Sequence, residues 1–201
     1  MKQRIIFAVA FGTAVGLGIG AALADPGYYV SGEAGVSLPP DLHLNSGGAT
    51  QQTGFGTGIA GGGAVGYDTG NGIRVELDSL YQHTDVARLN GAPATGHLSS
   101  TSLMANATYD LTHVGVVTPY VGAGVGMQNV GGDVNGLTGR DWKPAYQAEA
   151  GLRTDINDKA SLFGEYRFSQ SESVTLSDGT DSAHQYFSDH ALLAGVSFKV
   201  N

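Results

Sequence analysis

From His190 to the end of the chain, neighbouring residues alternate in character. His190, Leu192, Ala194, Val196, Phe198 and Val200 fall on one parity; Ala191, Leu193, Gly195, Ser197 and Lys199 fall on the other. The first set is mostly apolar, the second smaller and more polar. A period of two marks a β-strand with two unlike faces. The segment before it repeats the pattern, with Ala160, Leu162, Gly164, Tyr166 and Phe168 against Ser161, Phe163, Glu165, Arg167 and Ser169. So do Tyr146–Arg153, Val121–Gln128, Ser102–Leu111 and Ile73–Gln82. The first strand carries Tyr28, Val30, Ala34, Val36 and Leu38 against Ser31, Glu33 and Ser37. The second sets Phe55, Thr57, Ile59, Val65 and Tyr67 against a row of glycine and alanine. Eight strands are predicted.

The charges decide which face points inward. The polar parity holds Glu33, Arg74, Glu76, Asp78, Glu149, Arg153, Glu165, Arg167 and Lys199. A small soluble core cannot absorb so many ions, whereas a narrow lumen can if they pair. The apolar parity therefore faces lipid and the charged parity faces the interior. The competing architectures are a soluble lipocalin-like barrel and a β-sandwich.

Connection lengths agree with a membrane barrel. Asp68-Thr69-Gly70-Asn71-Gly72, residues 112–118 and Asp155-Ile156-Asn157-Asp158-Lys159 are short. They alternate with longer polar connections at about residues 39–53, 86–98, 131–139 and 175–185. Outer-membrane barrels have short periplasmic turns and longer external loops. The fold expected is all-β: an eight-stranded antiparallel up-and-down transmembrane β-barrel with both termini on the periplasmic side. Tyr28, Tyr67, Tyr109 and Phe198 would then ring the periplasmic rim, and Phe55, Tyr81, Trp142, Phe168 and Tyr186 the external rim. Aromatic girdles of this kind sit at headgroup level.

The N-terminus places the chain in an export route. Lys2 and Arg4 precede an uncharged run from Ile5 to Ala22, and Ala22-Leu23-Ala24 stands before Asp25-Pro26. This is the order of a secretory signal, with residues 1–24 removed and residues 25–201 forming the barrel. The alternative, an uncleaved anchor, is weakened by Gly12, Gly16, Gly18 and Gly20 within the run. No later segment is apolar over the roughly 20 residues that a membrane helix needs.

Composition narrows the function. The chain has 18 acidic residues against 10 Lys and Arg, and no cysteine. Nucleic acid is a poor partner for so acidic a surface, because phosphate binding needs a basic patch.

With the export signal ending in Ala22-Leu23-Ala24, the eight-strand meander and the final Gly195-Val196-Ser197-Phe198-Lys199-Val200, the chain resembles the OmpA-like small outer-membrane barrels, including the porin-like surface antigens. The resemblance implies the bacterial outer membrane, contact with its lipid and lipopolysaccharide, and a monomer. It also implies insertion by the barrel-assembly machinery. Gly195, Phe198 and Val200 look like the terminal signal which that machinery reads, with Leu193 where a polar residue is usual.

Chemistry-bearing motifs are sparse. Gly61-Gly62-Gly63-Ala64-Val65-Gly66 fits the dinucleotide pattern, but a hairpin turn follows where a helix is needed, so no cofactor is expected. His184, Ser188 and His190 lie near the last external loop, where some small barrels carry a lipid A deacylase site. No base, nucleophile and orienter are jointly visible there, and no metal-ligand spacing appears among the histidines. Three readings stand in order. The first is a structural or surface-interaction barrel with its lumen closed by ion pairs and an unidentified ligand at the loops. A narrow channel for small solutes or ions comes second, and a lipid-modifying enzyme third.

Overall fold

A computed structural model describes residues 26–38, 42–46, 49–55, 57–89, 92–93, 97–134, 137–177 and 182–200 of the chain. The expected signal segment, residues 1–24, lies outside them. Eleven strands are described: β1 (Gly27–Ser37), β2 (Leu42–Ser46), β3 (Ala49–Phe55), β4 (Gly58–Asp68), β5 (Ile73–Leu89), β6 (Ala92–Pro93), β7 (His97–Asp110), β8 (Thr118–Val134), β9 (Leu137–Asn157), β10 (Ala160–Ser177) and β11 (Ser182–Val200).

Eight of these close a ring. β1 pairs with β4, β4 with β5, β5 with β7, and so on through β8, β9 and β10 to β11, which pairs back onto β1. Every pairing is antiparallel. From Arg153 the hydrogen-bonded row runs through Phe163, Gly195, Glu33, Gly62, Leu80, Ser102 and Gln128. It returns to β9 at Lys143, ten residues displaced. That stagger tilts the strands by about 40°, and eight strands so arranged leave an interior that side chains just fill.

One end of the ring is made of short turns. Between β4 and β5, Gly70 and Gly72 take positive φ, which glycine adopts without steric cost. The Gly70 N–H donates to Asp68 Oδ1 at 2.8 Å. Between β9 and β10 only Asp158 and Lys159 intervene, and Asn157 Oδ1 accepts from the N–H groups of Lys159 and Ala160. Both ends of the barrel chain, Tyr28 and Val200, pair at this same end.

The other end departs from the sequence expectation. The stretches expected as connections at residues 131–139 and 175–185 are mostly strand: the β8–β9 ladder runs to Val134 opposite Leu137, and the β10–β11 ladder to Ser177 opposite Ser182. The expected loop at 39–53 holds the β2–β3 hairpin, and β3 pairs with the far end of β5, continuing the ladder that β4 makes with the same strand. Phe55, expected on the second barrel strand, ends β3 opposite Val86 of β5, where the β4–β5 ladder continues with a one-residue shift. The physical reason is that beyond the bilayer neither face must be apolar. A ladder continues there through Gly, Ser and Asp without leaving a period-two trace.

The two faces sort by chemistry. Outward positions hold Ile59, Leu77, Leu103, Val125 and Leu152, each about half or more exposed. Inward positions hold buried Asp78, Asn106, Gln128, Gln147, Glu149, Glu165 and Arg167. Exposed apolar and buried charged residues are the inverse of a soluble core.

Candidate functional site: the charged lumen

Arg167 stands at the centre of the inward face. Its Nη1 lies 2.9 Å from Glu33 Oε1 and 2.7 Å from Asp78 Oδ2, and its Nη2 lies 2.7 Å from Glu165 Oε1. Nε also donates to Glu165, and Glu149 Oε2 completes the ring at 3.7 Å. These residues come from β1, β5, β9 and β10, so one guanidinium cross-links both halves of the barrel. Its side chain is only 5% exposed. A buried ion with several charge-assisted hydrogen bonds holds its neighbours in one geometry.

A second layer lies toward the short-turn end. Asp110 bridges Arg74 at 3.1 Å and Arg153 at 2.7 Å. Arg74 also lies 4.9 Å over the Tyr120 ring, and the Tyr120 hydroxyl donates to Glu165 Oε2 at 2.8 Å. The Tyr29 hydroxyl donates to Glu76. Glycines make room for both phenols: a Cβ on Gly66 or Gly151 would fall within 2.6 Å of the Tyr29 or Tyr120 hydroxyl. Below this layer a cavity of about 460 Å³ is lined by Arg74, Arg153, Lys199, Asp68 and the turn residues Asp158 and Lys159.

A third layer lies toward the long-loop end. Ser37 donates to Asp189, Ser100 donates to Gln82 at 2.9 Å, and Gln128 donates to Ser100 at 3.4 Å. Gln147 donates to Asn106 at 2.8 Å beside the Arg167 ring.

All nine charged residues singled out from the sequence lie on inward-facing strand positions, but they do not form one set. Glu33, Asp78, Glu149 and Glu165 gather on Arg167; Arg74 and Arg153 gather on Asp110; Glu76 takes Tyr29; Lys199 lines the cavity mouth. Asp110, Tyr29 and Tyr120 were not singled out. Their inward parity was the available signal.

The outward aromatics have mixed surroundings. Tyr28 meets Tyr67 edge-on at 5.0 Å, and Tyr109 and Phe198 are exposed near the same end. Tyr81 and Trp142 are exposed farther up, and Phe168 packs against Tyr146 and His190. The side chains of Phe55 and Tyr186 lie outside the described residues. His190 Nδ1 sits 2.6 Å from the Tyr166 hydroxyl, so its described partner is a phenol and not Ser188. Gly195 faces inward under the Phe163 ring, where a Cβ would lie 2.3 Å from Cζ, while Phe198 and Val200 face outward. The glycine-rich Gly61–Gly66 stretch is the interior of β4.

A closed antiparallel ring with an apolar outside and a charged inside defines a transmembrane β-barrel. The chain belongs to the outer membrane protein beta-barrel domain family, whose model matches residues 7–199. It is an outer-membrane β-barrel protein. An outer membrane protein of Gluconacetobacter diazotrophicus is 32% identical over 177 residues, covering 72% of this chain and 47% of the relative. The chain thus spans about half the length of that curated relative. Neisserial surface protein A superposes with a TM-score of 0.57 at 20% identity, covering 88% of this chain and 99% of that one. OprG of Pseudomonas aeruginosa does so at 0.55 and 12% identity, covering 87% and 96%. AlkL in lipid bilayers gives 0.52 at 18% identity, covering 94% and 98%. At such identities the three structures speak to the fold alone.

Proposed function

We propose that the protein is a surface-facing structural or interaction barrel of a Gram-negative outer membrane, closed to ion flow, with no enzymatic role. The observation that carries this is the Arg167 ring, which fills the lumen with side chains from four strands. In this reading residues 1–24 are cleaved on export, the short turns face the periplasm, and the long hairpins face outward. Tyr28, Tyr67, Tyr109 and Phe198 anchor one lipid interface, and Tyr81, Trp142 and Phe168 the other. Gly195, Phe198 and Val200 serve the assembly machinery, and a binding partner engages the external hairpins.

The channel reading draws on the cavity at the short-turn end. Toward Arg167 lies a separate gap of about 20 Å³ between Tyr29, Glu33, Glu76, Tyr120, Glu165 and Arg167. A gap that size holds about one water, too little for a hydrated ion. The test is single-channel recording of the refolded barrel in a planar bilayer. The expected result is silence from protein that shows the heat-modifiable migration of a folded barrel. Reproducible conductance steps would favour the channel.

A further inference from the structure

We propose that the outward face of β10 and β11, toward the long-loop end, binds the phosphate of a membrane lipid headgroup through Gln170, Ser188 and His190. This rests on the lipid-facing assignment of the apolar parity and names a ligand site upon it.

Register brings the three together. Gln170 pairs directly with Ser188, and His190, two residues farther along β11, pairs with Phe168. All three share the outward parity of Phe168, Leu192 and Phe198. Facing cross-strand neighbours lie about 5 Å apart and same-face neighbours along a strand about 7 Å apart, a span that one phosphate group bridges.

Each residue presents a donor. The Tyr166 hydroxyl lies 2.6 Å from His190 Nδ1 and has no other acceptor among the described residues. The phenol therefore donates to Nδ1, which leaves the ring proton on Nε2. The imidazole is held in place by stacking on Tyr166 and by the Phe168 ring 5.2 Å away. The Tyr146 hydroxyl donates to Gln170 Oε1 at 2.6 Å, which occupies the carbonyl end and leaves the amide N–H groups for a ligand. The Ser188 hydroxyl adds a third donor between them. On other walls the outward residues toward the same end include Ile59, Leu103 and Met127, which offer none.

The donors also sit at headgroup depth. Eight residues of β11 separate Phe198, at the short-turn girdle, from His190. At about 3.3 Å per residue and a tilt of about 40°, His190 lies roughly 20 Å farther along the barrel axis. Ser188 and Gln170 lie slightly beyond it. The apolar band of such barrels is about 25 Å tall, so the donors fall where hydrocarbon gives way to headgroups. An N–H turned toward lipid must find an acceptor there, and phosphate is the strongest one at that level. His190 Nδ1 is held by Tyr166, and Asp189 turns inward to Ser37, so the group is arranged to bind a headgroup and not to hydrolyse it.

The experiment places the refolded barrel in nanodiscs of digalactosyldiacylglycerol, a lipid without phosphate, doped with phosphatidylglycerol. Native mass spectrometry then counts the lipids that stay on the barrel. The parent is expected to retain phosphatidylglycerol in preference to the galactolipid, and excess inorganic phosphate is expected to leave it in place. Ser188→Ala/His190→Phe keeps a ring against Tyr166 and Phe168 and is expected to retain about tenfold less, as the loss of two hydrogen bonds implies. Should that pair not fold, Gln170→Leu/Ser188→Ala, which leaves the His190–Tyr166 bond intact, is expected to lose retention likewise. Equal retention by the parent and a folded variant, or no preference in the parent, would overturn the site. Displacement by inorganic phosphate would overturn lipid as its ligand. A parent that retains neither lipid would instead overturn the lipid-facing assignment beneath it.

Discussion

Replacing Arg167 with alanine is expected to cost the barrel about 3–5 kcal/mol of folding stability, the usual cost of breaking a buried ion pair from one side. The loss comes from what stays behind. Glu33, Asp78 and Glu165 each lose a charge-assisted contact shorter than 3 Å, and Glu149 loses the cation 3.7 Å away. Their side chains are nearly sealed from solvent, Asp78 to 1%. Water entering from the short-turn cavity can soften the penalty without removing it. Urea unfolding of the barrel in lipid vesicles measures the change. Arg153→Ala gives the comparison: its side chain lines the cavity and is 11% exposed, so its loss is expected to be smaller. An Arg167→Ala barrel as stable as the parent would show that the ring does not hold the fold.

The outward face supplies the second large effect. Leu77 is 49% exposed and lies between Val65 and Ala105, away from both ends of its strand. If that face meets hydrocarbon, Leu77→Arg places a charge near the bilayer midplane and costs about 2–4 kcal/mol. In a soluble protein the same exchange at a half-exposed site would stay within about 0.5 kcal/mol. The same unfolding assay in vesicles reads the difference, and a neutral result would argue against a lipid-facing Leu77.

Much of this architecture is written in the period-two pattern, because a bilayer forces one face of each strand to be apolar along its membrane-crossing part. The eight barrel strands and their short turns follow from that constraint alone. Outside the bilayer the constraint lapses, which is why β2, β3 and the far ends of β8 to β11 were legible only as polar connections. Within the lumen, parity identified the side that Arg167 and its carboxylates share, but not the partners. Asp110 gathers Arg74 and Arg153 through strand register and tilt, which no single segment encodes. Tyr29 and Tyr120 were passed over because a phenol reads as apolar in an alternation, although its hydroxyl belongs to the polar interior. Leu80 and Leu193 were passed over for the opposite reason. They are apolar residues on the polar parity, so they look like irregularities in the pattern. Leu193 is nonetheless buried inside the barrel.

The central claim is that the charged parity lines the lumen and the apolar parity meets lipid. The chain has no cysteine, so single cysteines can be placed without background. The most direct test is a cysteine scan of β7 from Leu103 to Thr108 in lipid vesicles, read with a thiol probe that partitions into hydrocarbon. Labelling at 103, 105 and 107, with protection at 104, 106 and 108, is the result expected. Labelling of the even positions, or of neither set, would contradict it.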